Sequence, residues 1–222
     1  MRVQSFLDTR HPGDQDKVYH GLGHSHEVAD LAARVVAAQN LPADKQILLI
    51  VSAALHDVDP GRAANSPARV SATLEHLDKD DEARALLLDL GSRHGFTAAQ
   101  VKAMIMATDF AMDPVQMKAK QEAFEKAAAA AFPSEPGWAL AWGKRLAFSD
   151  QVSTYVGSLE QAKKRVRGLA LEIRAQVEAL GKGPGPSDEA MLAGSFKFLN
   201  VLRQSPEFDL LPPSSARTLR SS

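Results

Sequence analysis

Apolar side chains recur at helical intervals along almost the whole chain. Val28, Leu31, Ala32, Val35 and Val36 fall on one face of a helix predicted from Ser25 to Asn40. Asn40 and Pro42 break that pattern, and Asp44 is placed to cap a second helix ending near His56. The Pro and Gly residues of DVDPGRAANSP (57–67) then stop it in a loop. Two short helices follow, over Ala68–Leu77 and Asp81–Leu90. Thr97 with Gln100 reads as a capping box for a helix carrying Val101, Met104 and Ile105 to about Thr108. Longer helices are predicted at Pro114–Phe132, Trp138–Val156 and Glu160–Leu180. GKGPGP, from Gly181 to Pro186, reads as a linker, and Ser187 caps a last helix to about Arg203.

No β-branched run with period-two alternation interrupts these helices, so the fold class expected is all-α. One helical domain is expected over 18–204, with the linker at 181–186 inside it. Residues 1–17 are expected to form an N-terminal arm and 205–222, ending in PPSSARTLRSS, a frayed C-terminal tail.

Composition narrows the function classes. The 222 residues carry 26 Lys+Arg and 27 Asp+Glu, a formal charge of −1, with 45% hydrophobic and 24% charged residues. These fractions are those of a globular chain and argue against disorder, and the balanced charge argues against a nucleic-acid partner. KKRVR at 163–167, with Glu160 and Glu172 nearby, reads as a solvated helix face. The absence of cysteine excludes disulfides, thiolate nucleophiles and Cys-ligated zinc. The longest strongly apolar stretch, Ile47–Leu55, is too short to span a bilayer and contains Ser52. The opening MRVQSFLDTRHPGDQD has no apolar run resembling a signal peptide, so a cytoplasmic protein without a membrane partner is expected.

The candidate chemistry lies with the seven histidines, which are unevenly spread. His20, His24 and His26 cluster, and His20 and His24 share a face if the helix begins that early. His56 and Asp57 sit together at the end of an apolar helix able to hold them rigidly. Imidazole with carboxylate is a mixed N/O donor set that suits Zn, Fe, Mn or Co, with Mg at carboxylate-rich positions. Spacing alone leaves these residues either as ligands or as hydrogen-bonded core groups.

Four ordered elements add a resemblance. YHGLGHSHEV (Tyr19–Val28), ALHDVDPG (54–61), MIMATDFAMD (Met104–Asp113) and LAFSDQVSTY (Leu146–Tyr155) together resemble the HD-domain superfamily of metal-dependent phosphohydrolases. Within it, the likeness is to the catalytic domain of class I cyclic-nucleotide phosphodiesterases, over about residues 18–156 and faintly to Phe198. The resemblance implies an HD-type helical domain with a buried site of two divalent metal ions (Zn, Fe, Mn, Co or Mg). It implies His24, His56, Asp57 and Asp150 as ligands of the tightly held ion, with Asp57 bridging to the other. His20 matches the imidazole that protonates the leaving oxygen, and Thr108 and Asp109 match a pair beside the water ligands of the second ion.

The implied activity is a phosphodiesterase acting on a small, nucleotide-like phosphoester, in which a hydroxide shared by the ions attacks phosphorus in line. A nucleotidase-type phosphomonoesterase and a non-catalytic nucleotide-binding module remain alternatives. Arg62, just past HDVDPG, is a candidate for a substrate phosphate. In GSFKFLNVL (Gly194–Leu202), Phe198 is a candidate base-stacking ring, and Ser195 aligns with the family's purine-reading Gln. Its shorter hydroxyl does not span the bidentate contact a glutamine makes with a purine edge. Gly21 replaces a usual Asn, and the loop lacks the His that normally follows HDVD.

Overall fold

In a computed structural model, residues 3–10, 18–58, 68–111 and 113–211 are described, together with 213, 215, 216 and 219. Among them the apolar intervals become ten α-helices. These are α1 (Val3–Arg10), α2 (Leu22–Ala38), α3 (Ala43–Leu55), α4 (Arg69–Lys79), α5 (Asp81–His94) and α6 (Ala98–Met106). After them come α7 (Pro114–Ala131), α8 (Pro136–Ser153), α9 (Leu159–Ala179), α10 (Asp188–Arg203) and a short 3-10 helix, Pro206–Leu210. No strand is present among the described residues, as the sequence leads one to expect.

Local chemistry sets most boundaries. Thr97 and Gln100 form a reciprocal capping box at α6, and Ser158 and Gln161 form another at α9. The Asp113 carboxylate accepts the Gln116 amide at 2.8 Å, with Pro114 in the first turn of α7 where its missing N–H costs nothing. Asn40, at φ 49°, and Gly95, at φ 77°, take the left-handed conformation just past α2 and α5. Two starts that bear on the interior differ from the sequence expectation. α2 begins at Leu22, which takes His24 into its first turn, and Asp44 lies inside the first turn of α3 behind Pro42.

α3 is the centre of the packing. Its run ILLIVSAAL is apolar on nearly every side, and it contacts α1, α2, α5, α6 and α8. A helix so surrounded delivers its C-terminal residues, His56 and Asp57, into the interior. α9 and α10 pack together across the glycine-rich turn, where Arg174 donates to the Pro186 carbonyl at 3.0 Å and to Asp188 at 2.8 Å. Gly181, Gly183 and Gly185 all have positive φ there, so the expected linker is a tied hairpin turn.

The chain ends contribute more than an arm and a tail would. Phe6 and Leu7 of α1 are fully buried in the core, and so are Phe208, Leu211 and Leu219 at the other end. An eight-residue helix and a proline-broken tail are too short to display a period, which is why the sequence pattern passes over them. No helix among the described residues is long and apolar enough to cross a membrane.

One packing point is sharply defined. A Cβ at Gly143 of α8 would meet the Phe124 ring of α7 at 2.2 Å and the Ala107 methyl at 3.0 Å. Gly143→Val therefore overpacks the junction of α6, α7 and α8, and a loss of about 1–3 kcal/mol is expected in urea unfolding of the purified chain.

Candidate metal centre

The first turn of α2, the end of α3 and the last turn of α8 converge in the interior. His24, His56 and Asp150 are buried there and offer one ligand atom each, all within 4.8 Å of one another. The chain separation is large, and the helices close it. His24 Nε2 lies 2.9 Å from Asp150 Oδ1, and His56 Nε2 lies 3.3 Å from the same oxygen. Asp57 Oδ2 is 3.1 Å from His56 Nε2 and 3.6 Å from His24 Nε2. Donor atoms sharing one ion at about 2.0–2.2 Å stand roughly 3 Å apart, so these separations suit a common cation.

The orientation of each donor has a local cause. His56 Nδ1–H donates to the Ala53 carbonyl at 2.7 Å, which fixes the tautomer and turns Nε2 to the centre. His56 Nε2 and Asp57 Oδ2 are both buried without a hydrogen-bond partner among the described residues. An imidazole nitrogen and a carboxylate oxygen that face each other unpaired are groups a divalent ion satisfies, so the donor set fits one.

Electrostatics agree. Burial pushes the His56 imidazole down, but Asp57 and Asp150 outweigh it and raise the group to about 10. Burial likewise favours the neutral forms of both acids, yet Arg69 and His56 hold Asp57 well below the usual carboxylate range. His56 and His24 do the same for Asp150. With no ion bound, the proton on His56 supplies the balancing charge.

His20 stands beside this cluster, its ring 5.7 Å from that of His24. Its Nδ1 lies 2.5 Å from Oε2 of Glu172, a residue of α9 only 3% exposed. Glu172 Oε1 also accepts the amides of Tyr19 at 2.6 Å and His20 at 3.0 Å. The approach depends on Gly168, one turn earlier on α9, where a Cβ would stand 3.3 Å from the Val18 carbonyl oxygen. Burial lowers the His20 imidazole below its ordinary value, and the Glu172 contact pulls it back up. Glu172 is thus buried and functional-looking rather than part of a solvated face. The sequence signal is its place four residues after Gly168, on the same face of the helix one turn on.

The other expected residues are distributed as follows. Thr108 is buried and spends its hydroxyl on the Ile105 carbonyl at 2.9 Å. Asp109 is paired with Lys120. Asp57 Oδ1 carries the guanidinium of Arg69, a contact the sequence reasoning did not foresee. Phe198 packs against Phe110 with ring centroids 5.8 Å apart, and Ser195 lies beside the Tyr155 phenol. Arg62 lies outside the described residues.

No family model, curated protein or solved structure matches the chain. The conclusion at this level is therefore geometric: an all-helical chain encloses a His/His/Asp cluster able to chelate a metal ion.

Asp57 and Asp150 raise the His56 imidazole in the metal-free chain, so ion uptake at neutral pH is expected to release a proton. Calorimetry of Zn²⁺ binding in two buffers of different ionisation enthalpy is expected to reveal about one proton released per ion, with affinity climbing as pH rises. Uptake without proton release would contradict the assignment.

Proposed function

We propose that the chain is an HD-type metal-dependent phosphohydrolase, acting as a phosphodiesterase on a small nucleotide-like ester. The observation that carries this reading is the buried ligand cluster with the His20–Glu172 pair directly beside it. A divalent ion held by His24, His56 and Asp150, with Asp57 Oδ2 beside them, would supply a Lewis acid and an activated water at neutral pH.

The chain's own residues account for the proton step. Glu172 accepts from Nδ1 of His20 and from the backbone amides of Tyr19 and His20, so the ring is fixed in position and Nδ1 carries a proton. In the protonated ring Nδ1–H stays on Glu172 and Nε2–H is the group left to give its proton to a departing alkoxide, which returns the ring to neutral. Such a positioned acid contributes on the order of 10²–10⁴ in rate. Phe198 and Phe110 support the nucleotide-like part of the reading by offering an aromatic surface. The order of His20, His24, His56–Asp57, Thr108–Asp109 and Asp150 along the chain supports the HD assignment.

Hydrolysis of bis(p-nitrophenyl) phosphate with added Mn²⁺ tests the reading. Turnover is expected from the native chain and background rates from Asp57→Ala, and equal rates for the two would reject it. On a dinucleoside diester, whose alkoxide must be protonated, His20→Ala is expected to lose about 10²–10⁴-fold. The same variant should lose far less on the p-nitrophenyl ester, whose leaving group departs without a proton.

Glu172→Gln removes the group that raises His20, so the pH above which the acid form is lost is expected to fall. The alkaline limb of the kcat profile should move to lower pH in that variant. An unmoved limb with reduced kcat would assign Glu172 a purely structural role.

A further inference from the structure

The two oxygens of Asp57 have different neighbours. Oδ2 faces His24 and His56, whereas Oδ1 is ion-paired with Nη1 of Arg69, the first residue of α4. Nη2 of Arg69 points to the Thr108 carbonyl at 3.5 Å. A carboxylate that bridges two ions needs one oxygen for each, and here the outer oxygen already holds a cation.

Other oxygens on that side are partly engaged among the described residues. Asp109 is drawn to Lys120, and the Thr108 hydroxyl donates to Ile105. A second divalent ion would have to displace a guanidinium whose side chain is only 17% exposed, or sit against it with like charge. Among the described residues the donor set thus fits one ion and does not fit two.

The guanidinium is placed to do what a second ion does for a phosphoryl group. It is a permanent positive charge on the outer side of Asp57, with further N–H donors beyond those given to Asp57 and Thr108. Its planar fork matches paired phosphate oxygens, which is why arginine so often binds them. We propose that this centre works with a single divalent ion and that Arg69 replaces the second cation by binding a non-bridging phosphate oxygen of the substrate. The substrate-binding half of this inference rests on the phosphohydrolase reading; the ion count does not.

Two measurements on the full chain decide it. The chain is saturated with Mn²⁺, freed of excess by gel filtration, and its manganese counted against protein. Binding of inorganic phosphate to the loaded chain is then measured by calorimetry for the native protein, Arg69→Gln and Arg69→Lys. The expected result is about one ion per native chain. Phosphate affinity should fall roughly tenfold or more in Arg69→Gln and less in Arg69→Lys, which keeps the charge but not the fork.

Two ions per native chain overturns the proposal whatever the activity, and so does phosphate binding that ignores Arg69. If Arg69→Gln does not fold, the native ion count and the Lys variant still decide. A chain that carries one ion, binds phosphate through Arg69 and hydrolyses no phosphoester sinks the preceding reading alone. A chain that binds no ion sinks both.

Discussion

Two imidazoles and two carboxylates are held together in an interior that screens them poorly, and that grouping is the constraint from which the rest of the structure takes its shape. His56 is fully buried and Asp57 is 2% exposed. Enclosing ionised groups costs several kcal/mol each unless opposite charge and hydrogen bonds accompany them. Here the compensation comes from a proton on His56 or a metal ion in its place, and from the guanidinium of Arg69. Nε2 of His56 and Oδ2 of Asp57 have no hydrogen-bond partner among the described residues, which is where a divalent ion would stand in for the proton.

Each structural feature near the centre serves its rigidity. α3 is apolar on nearly all sides, so it is packed on five neighbours and its C-terminal residues have little freedom. The early start of α2 at Leu22 turns His24 inward, and α8 brings Asp150 across from the other half of the chain. Gly168 lets the Val18 backbone lie against α9, which in turn sets Glu172 under the Tyr19 and His20 amides. These contacts hold the His/His/Asp cluster and its neighbours in one arrangement, as a preorganised metal site requires.

The helices were legible because their signals are local. Thr97 with Gln100, Asp113 with Pro114, and Ser187 each announce a helix start within four residues, and each is found at one. His24 and His56 stood out in an uneven spread of histidines, and Asp150 only through the resemblance of LAFSDQVSTY to the HD-type pattern. Glu172 and Arg69 did not. A glutamate in α9 and an arginine at the start of α4 look like ordinary surface charges, and only contacts spanning 152 and 12 residues give them roles. The core contributions of Phe6 and Leu219 were hidden similarly, since single buried side chains in short segments leave no period to read.

The most direct test is the anomalous scattering of a Zn²⁺-loaded crystal collected at the zinc edge. A strong peak is expected at about 2.0–2.2 Å from one nitrogen each of His24 and His56 and from a carboxylate oxygen of Asp150. A peak elsewhere in the molecule, with these side chains still hydrogen-bonded only to one another, would contradict it.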